Sequence, residues 1–394
     1  MAIEAKPRAG AARRIRLGMV GGGEGAFIGA VHRIAARLDD HYELVAGALA
    51  STADKAQRSG RELGLAEDRI YIDYAAMAKA ESARADGIEA VAIVTPNHLH
   101  APVAEAFLRN SIHVICDKPL ATTSRDARRL QALALKHGRI FAVTYNYTGY
   151  PMVRQARQMV RERRLGEVRV VQVEYAQDWL TERLEASGQK QAEWRTDPAR
   201  SGAGGCIGDI GTHAYQLAEY ISGLEATELC AELSTFVAGR RLDDNAQVML
   251  RYAGGARGAL WASQVAPGNE NNLRIRIYGS KGGLDWRQEH PNQLYWSPFG
   301  EPTQTIARGT GAASAAAARV TRIPAGHPEG YLEAFATLYG EIAQAIRAAR
   351  RPAQRGAKPG PHSHFPTGVD GVKGVEFVEA VVASSAKGGR WVRL

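Results

Sequence analysis

The stretch that decides the fold is Ile15-Arg16-Leu17-Gly18-Met19-Val20-Gly21-Gly22-Gly23-Glu24-Gly25-Ala26-Phe27-Ile28-Gly29, near the start of a 394-residue chain. Its apolar first half predicts a buried strand, and residues 28–38 predict a helix. Glycines between them allow a tight turn and let backbone N–H groups approach a pyrophosphate at the helix N-terminus. The spacing departs from G-x-G-x-x-G, because Ala26 takes the third position and Gly29 follows later. The alternative interpretation of this glycine-rich segment is a tight turn that binds no ligand. The expected cofactor contacts are Gly21, Gly23, Phe27 and Ile28.

Predicted strands and helices continue to alternate along the chain from this turn to residue 145. Apolar segments predict further strands at 42–49, 70–72, 90–94, 112–116 and 140–144, with amphipathic helices between them. Near-continuous apolar strands between such helices are typical of a parallel sheet covered on both faces. We therefore expect a doubly wound α/β domain over 15–145, preceded by a disordered leader over 1–14.

The alternation of strands and helices ends near residue 145, and an α+β domain is expected over 146–394. A helix at 152–163 precedes alternating strands at 167–176, 228–237, 246–252, 256–265, 273–278 and 283–287. Turns at Ala253-Gly254-Gly255-Ala256 and Gly279-Ser280-Lys281-Gly282 predict hairpins, and so a large, mainly antiparallel sheet. The low-complexity segment 309–318 is interpreted as a mobile loop, 351–366 as a linker or surface loop, and 369–385 as a helix that packs on the body.

Composition limits the class of protein. With 45% apolar and 23% charged residues, the chain has the profile of a soluble globular protein, and no apolar run reaches membrane-spanning length. Cys116, Cys206 and Cys230 fit neither a disulfide framework nor a zinc spacing, so no metal and a reducing, cytoplasmic setting are expected. The net charge of +9 is scattered without interleaved aromatics, which argues against a nucleic-acid partner.

Polar residues follow three of the predicted parallel strands, at the edge where such sheets bind ligands. Thr95-Pro96-Asn97 follows one strand, with His100 one turn later, and Asp117-Lys118-Pro119 follows the next. These residues are expected at the cofactor, although Asn97 is equally well explained as a helix N-cap. Ser51 ends the second strand, where an acid would select NAD and an Arg NADP. Neither stands there, so the choice stays open with a lean to NAD.

The segment from Gly204 to His213 is the second candidate for chemistry. Asp209 and His213 stand four residues apart on a predicted helix, with Gln216 and Tyr220 continuing the same polar stripe. His213 can act as a general base, with Asp209 orienting it. The alternative is an N-cap Asp209 and a buried, satisfied histidine.

Taken together, these motifs resemble the Gfo/Idh/MocA family of nicotinamide-dependent oxidoreductases. The matching elements are the Gly21–Gly29 loop, Thr95-Pro96-Asn97-x-x-His100, Asp117-Lys118-Pro119 and Gly205-to-His213, in an order that covers nearly the whole chain. The resemblance implies hydride transfer between NAD or NADP and a secondary alcohol of a sugar or cyclitol. It also implies that Lys118 hydrogen-bonds the reacting oxygen and that His213, with Asp209 behind it, exchanges the proton of that oxygen. Asp117 replaces the family's usual Glu, and Gln216 replaces a frequent acid.

A small polyhydroxylated substrate is expected against a wall of aromatic and polar side chains, since aromatic faces stack on sugar C–H faces. The expected wall residues are Asn146, Tyr147, Tyr150, Trp179, Arg195 and His327. The resemblance further implies a homodimer or homotetramer formed through the large sheet. Two other functions remain open: an NAD-dependent glycosidase that works by transient oxidation and elimination, and a non-catalytic NAD(P)-sensing protein.

Overall fold

The computed structural model describes residues 13–349 and 364–394. Its first part alternates strands and helices: β1 (Ile15–Gly21), α1 (Phe27–Leu38), β2 (Tyr42–Ala48), α2 (Ala53–Glu62), α3 (Tyr74–Ala83), β3 (Ala90–Val94), α4 (Asn97–Arg109), β4 (His113–Cys116), α5 (Ser124–Lys136) and β5 (Phe141–Val143).

These five strands form one parallel sheet in the order β2-β1-β3-β4-β5. All five residues of β3 are buried, because helices cover both faces of the sheet. The chain adds β2 on one side of β1 and then continues with β3 on the other side. At this change in strand order, a crevice opens outside the carboxyl ends of β1 and β3. The strand predicted at 70–72 is wrong: Ile70 forms only an isolated bridge with Gly47, and Ile72 is 53% exposed.

The second part contains the remaining elements: α6 (Pro151–Arg161), β6 (Val168–Ala176), α7 (Lys190–Arg195), α8 (Pro198–Ser201), α9 (Thr212–Ser222), β7 (Ala226–Ser234), β8 (Asn245–Tyr252), β9 (Arg257–Ser263), β10 (Asn272–Gly279), β11 (Gly282–Arg287), β12 (Gln293–Pro298), β13 (Gln304–Ala307), α10 (Ala315–Ala318), α11 (Tyr331–Ala349), α12 (Gly368–Ala386) and β14 (Val392–Arg393).

Nine strands form the second sheet, in the order β13-β12-β11-β10-β6-β9-β8-β7-β14. All its pairings are antiparallel except that of β6 with β9, which confirms a mainly antiparallel sheet and both predicted hairpins. One face, including Val171, Val173 and Ile275, packs on α6 and α9. The mobile loop predicted at 309–318 is wrong, since it contains α10, whose Ala317 is fully buried against α6.

Two C-terminal helices pack back onto the first sheet. On α11, which the sequence analysis did not predict, Phe335 and Tyr339 lie in the core beneath β1, and Tyr42 Oη donates to the Tyr339 carbonyl at 3.0 Å. On α12, Glu379 accepts a hydrogen bond from Ser124 N at the start of α5 (2.7 Å). The two sheets are thereby joined through shared helices.

Two predicted segments fall mainly outside the described residues. The proposed leader is described only at Arg13 and Arg14, where Arg13 pairs with Glu89 at 2.9 Å, and the proposed linker only at 364–366. Across 13–349 and 364–394, no helix has both the length and the apolar character needed to cross a membrane.

Candidate active site

The glycine turn after β1 packs closely against the first turn of α1. Gly21 and Gly22 adopt positive φ (80° and 74°), which L side chains rarely adopt. A Cβ on Gly29 would lie 2.4 Å from Gly22 Cα, so Gly29 is the glycine that permits close helix–strand packing. No side chain caps α1, whose first turn carries no acid. Its open N–H groups fit the diphosphate of a dinucleotide.

Two buried polar atoms at the same edge support this fit. Thr95 Oγ1, after β3, and Asn146 Nδ2, after β5, have no hydrogen-bond partner among the described residues. Buried polar groups are normally hydrogen-bonded, so such atoms point to a ligand. Phe27 is 69% exposed and Ile28 partly buried at the turn, and Ser51 is exposed beyond β2.

Two other residues predicted at the cofactor, Asn97 and His100, form hydrogen bonds that hold the edge of the crevice together. Both ring nitrogens of His100 are engaged, by the carbonyls of Thr95 (2.8 Å) and Pro119 (2.6 Å). Asn97 Nδ2 donates to the Ser201 carbonyl at 2.9 Å, which ties α8 of the second part to the first sheet. The turns after β3 and β4 are therefore held together by His100.

Lys118 reaches from the end of β4 to Asp209. Its Nζ donates to Asp209 Oδ1 (2.7 Å) and to the Asp209 carbonyl (2.6 Å). Asp209 Oδ2 lies 2.9 Å from Gln264 Nε2 and 3.3 Å from Arg195 Nε. Burial alone would raise the pKa of Asp209, but the cations Lys118 and Arg195 outweigh it and hold that pKa well below its usual range. Asp209 is therefore a carboxylate.

Asp117, beside Lys118, shapes the turn. Its Oδ1 accepts from Lys118 N (2.9 Å) and from Thr144 Oγ1 (2.8 Å) at the end of β5. The shorter acid at this position thus links two neighbouring strand ends.

Asp209 lies in a π-helical turn, Ile207–Gly211, that runs into α9. A π-turn has more residues per turn than an α-helix, so positions four apart no longer stack one above the other. Among the described residues, no hydrogen bond joins Asp209 and His213. Asp209 bonds Lys118 instead, and its charge acts on His213 without a hydrogen bond.

The turn is anchored by a residue that the sequence analysis missed. Asp243, in the loop before β8, accepts from Gly205 N (2.6 Å) and Ile207 N (2.8 Å) and from Cys206 Sγ (3.1 Å). An acidic pair, Asp243-Asp244, in front of a strand was the available signal.

His213 is only 8% exposed and lies among tyrosine rings. Tyr147 is in edge contact at 4.9 Å between centroids, and Tyr145 at 5.6 Å. Burial, assisted by the charge of Lys118, lowers the pKa of His213 well below 6.5, although Asp209 opposes this. Its Nδ1 is buried without a hydrogen-bond partner among the described residues. His213 is therefore a neutral imidazole with proton-accepting capacity.

Of the six predicted wall residues, Tyr147 contacts this histidine. Four others are linked to Tyr147 or to Asp209, directly or through an amide side chain: Asn146, Tyr150, Trp179 and Arg195. Tyr147 stacks on the buried Tyr150 at 6.1 Å and 7°, and Asn146 precedes it. Trp179 Nε1 donates to Gln177 Oε1 at 3.1 Å, and Arg195 contacts Asp209. His327 is different: it is exposed, and its carbonyl accepts from the buried Arg308, so it braces the loop before α11. The wall also contains amides that the sequence analysis missed: Gln177, Gln264 and Asn271.

Two family models match consecutive parts of the chain, which together span most of residues 15–285. Residues 15–145 match an oxidoreductase family with an NAD-binding Rossmann fold, and residues 153–285 match the GFO/IDH/MocA C-terminal domain. The chain belongs to the Gfo/Idh/MocA family. It is therefore an oxidoreductase of an NAD-dependent family, which favours an enzyme over the non-catalytic sensor.

Three similar proteins illustrate the relationship. An uncharacterised oxidoreductase of Bacillus subtilis is 39% identical over 299 residues, or 75% of this chain and 76% of that protein. An oxidoreductase structure from Sinorhizobium meliloti is 55% identical, with a TM-score of 0.86 over 97% of this chain and 100% of that one. An inositol dehydrogenase homolog from Azotobacter vinelandii, solved with NADH and myo-inositol, is 37% identical, with a TM-score of 0.91 over 97% and 98%.

Proposed function

We propose that the protein transfers a hydride between a secondary alcohol of a sugar or inositol ring and the nicotinamide of NAD. The observation that carries this proposal is the pairing of a lysine with a neutral histidine at the crevice. Lys118 is bound to Asp209, and the charges of both act on His213, whose buried Nδ1 has no hydrogen-bond partner among the described residues. The Azotobacter vinelandii relative, solved with NADH and myo-inositol, supports the substrate class.

The bound nicotinamide supplies the hydride acceptor. His213, neutral because its pKa is low, takes the hydroxyl proton as the hydride leaves the carbinol carbon. Lys118 donates a hydrogen bond to the same oxygen and stabilises the charge that develops there. One C–H and one O–H bond break, and the products are a ketone, a reduced cofactor and a protonated His213.

Asp209 acts on this reaction through Lys118. Two hydrogen bonds that Lys118 Nζ donates to Asp209 fix the ammonium group, and the Lys118 side chain is only 13% exposed. Fixed donors that need no rearrangement stabilise a transition state most strongly. We therefore give Asp209 the role of a positioning residue for Lys118.

We propose NAD rather than NADP as the physiological cofactor. Ser51 and Thr52 supply no cation at the end of β2, and the nearby Arg58 is paired with Glu24 at 3.1 Å. Among the described residues of 51–62, the 2′-phosphate of NADP would thus find no arginine without an acidic partner, since Arg61 is paired with Glu67. Initial rates with each cofactor test the choice, and a preference for NADP would contradict it.

We also propose a homodimer or homotetramer that works in the cytoplasm. The outer face of the second sheet carries Met249 (52% exposed) and Tyr278 (43% exposed), with Trp261 between Glu174 and Gln247 of the neighbouring strands. Apolar side chains on an open sheet face suit a subunit contact. Light scattering after size exclusion tests this proposal, and a monomer would contradict it.

The reaction itself is tested by following NADH formation at 340 nm with inositols, aldoses and glycosides. We expect NADH from at least one free ring polyol. Cleavage of glycosides without net NADH would instead establish the glycosidase alternative.

A further inference from the structure

Residues 178–201, which we call the strap, lead from β6 toward the turn that carries Asp209. Near the end of the strap, Arg195 Nε lies 3.3 Å from Asp209 Oδ2. At its last residue, the Ser201 carbonyl accepts a hydrogen bond from Asn97 Nδ2 of α4 at 2.9 Å. The strap therefore contacts both parts of the fold beside the crevice.

The strap buries little of its own chain. No residue from 181 to 191 is buried, and most of them are exposed to solvent. Its two α-helices, α7 and α8, have only six and four residues. A segment with few buried apolar contacts opens locally at a small free-energy cost unless other bonds hold it. Polar contacts must therefore hold the strap in place.

Arg240, in the loop before β8, supplies these contacts. Its side chain is only 1% exposed. Nη1 donates to the Leu180 carbonyl at 3.0 Å, and Nη2 donates to the Glu182 carbonyl at 3.1 Å. Nε and Nη2 also donate to the two carboxylate oxygens of Glu185, at 3.0 and 3.1 Å. A guanidinium that binds a carboxylate through two parallel hydrogen bonds fixes its orientation as well as its position.

Arg240 is itself anchored in the loop that holds the turn of Asp209. Its Nη1 donates a further hydrogen bond to Asp244 Oδ2 at 3.2 Å, and Asp244 also accepts from Phe236 N of the same loop at 2.9 Å. The preceding residue, Asp243, accepts the hydrogen bonds that anchor the turn of Asp209. One loop therefore holds both the strap and the carboxylate that binds the lysine.

Arg240 also determines where the strap begins its path over the crevice. Leu180 is held at both backbone groups, because its carbonyl accepts from Arg240 and its N–H donates to the Gln264 carbonyl at 3.0 Å. The residue before it is Trp179, whose Nε1 donates to Gln177 Oε1 at 3.1 Å. The indole of Trp179 is thus placed by a backbone that Arg240 fixes one residue away.

We propose that Arg240 is a positioning residue for polyol binding, which acts through the strap by holding Trp179 and Arg195 at the crevice. The inference rests on the proposed function, because these two side chains are expected to contact the ring. Among the described residues, no hydrogen bond joins Arg240 to Lys118 or His213. Loosening the strap should therefore weaken substrate binding more than it slows hydride transfer.

Limited proteolysis tests whether these bonds hold the strap. Arg183 and Lys190 are exposed trypsin sites on the strap. Glu185→Gln removes the charge that Arg240 binds there but leaves Arg240 paired with Asp244, so the variant should fold. We expect its cleavage after Arg183 or Lys190 to be at least about 10-fold faster than that of wild type. Arg240→Gln should act in the same direction and more strongly.

Arg109→Gln is the matched control for proteolysis. Arg109 is an exposed arginine that pairs with Glu105 on α4, away from the strap. This variant should leave cleavage of the strap unchanged. A cleavage rate of the strap in Glu185→Gln that equals the wild-type rate overturns the proposal.

Steady-state kinetics separate a positioning role from a merely structural one. The substrate is whichever of myo-inositol and D-glucose gives NADH faster. Glu185→Gln should raise KM for this polyol at least about 5-fold, keep kcat within about 3-fold of wild type and leave KM for NAD unchanged. A structural defect would instead lower the amount of active enzyme, and so the apparent kcat, without changing KM. An unchanged KM for the polyol overturns the proposal.

The two levels of inference fail separately. Absence of NADH with every polyol would refute hydride transfer, while proteolysis would still show whether Arg240 holds the strap. NADH formation by Glu185→Gln with an unchanged KM for the polyol would refute the role of Arg240 and leave hydride transfer intact.

Discussion

Lys118 Nζ lies 2.7 Å from Asp209 Oδ1, although the two residues are 91 positions apart and belong to different parts of the fold. Lys118 follows a strand of the parallel sheet, and Asp209 begins the helix that packs on the second sheet. Docking of the two parts therefore brings together Asp209 and Lys118, the lysine for which we propose a catalytic role, and the two hydrogen bonds to Asp209 hold the ammonium group in place.

Replacing Asp209 by the isosteric Asn tests this positioning role. Asp209→Asn removes the charge that holds Lys118, so we expect kcat to fall at least about 100-fold with NADH affinity retained. Steady-state rates and NADH fluorescence titration measure the two effects. Asp68→Asn, an exposed carboxylate paired with Arg84, is the control. A kcat within a fewfold of wild type would contradict the role.

Activity should persist into mildly acid solution. Burial and the Lys118 charge lower the pKa of His213 well below 6.5, so its imidazole stays neutral until the pH falls beneath that value. We expect the acid limb of kcat/KM for polyol oxidation to lie below about pH 6.5. An acid limb centred at neutral pH or above would show that another group accepts the proton.

A second buried histidine makes folding stability pH-dependent. Burial lowers the pKa of His32, which bonds Tyr339 Oη at 2.8 Å, from 6.5 to about 4. Below pH 6.5, His32 binds a proton in the unfolded chain but stays neutral in the folded protein until the pH falls to about 4. The contribution of neutral His32 to folding stability is thus fully present above pH 6.5, and the free energy of unfolding falls by about 3 kcal/mol as the pH falls toward 4.

Urea unfolding of His32→Phe measures this effect. The variant loses its bond to Tyr339 at every pH, but its free energy of unfolding should depend less steeply on pH between about 6.5 and 4. His290→Phe, at an exposed position, serves as the control. Identical pH slopes for His32→Phe and wild type would refute the assignment.

Asp243 should matter for both stability and rate. Asp243→Ala leaves the buried N–H groups of Gly205 and Ile207 without an acceptor. We expect a loss of about 2–4 kcal/mol in the free energy of unfolding and a lower kcat, because the turn that carries Asp209 loosens. Asp243→Asn, which keeps one acceptor oxygen, should recover part of both. Unchanged unfolding of Asp243→Ala would contradict this anchoring.

Local sequence predicted all five strands of the first sheet, with one false strand at 70–72, but it was not sufficient for the site. Apolar runs between helices define β1 to β5 within about two residues, since buried parallel strands need no partner-specific signal. The periodic apolar positions Phe335, Leu338 and Ile342 also marked α11, and the sequence analysis overlooked them. The π-turn at Asp209 depends on tertiary contact with Asp243, which no local pattern encodes.

The residues of the expected substrate wall show the same limit of prediction from local sequence. Tyr147 and Asn146 were predicted from their residue types, an aromatic ring that can stack on a sugar and an amide that can bond its hydroxyls. Gln177, Gln264 and Asn271 are ordinary loop residues in the sequence, and only the pairing of β6 with β9 and β10 brings them together.

Deuterium transfer tests the central claim most directly. The protein is incubated with NAD and a ring polyol deuterated at its carbinol carbons, and the reduced cofactor is analysed by mass spectrometry. Hydride transfer at the site of Lys118 and His213 predicts NADH carrying one deuterium from the polyol, with none when Lys118 is replaced by Ala. Unlabelled NADH from the deuterated polyol, or equal label with Lys118→Ala, would contradict the account.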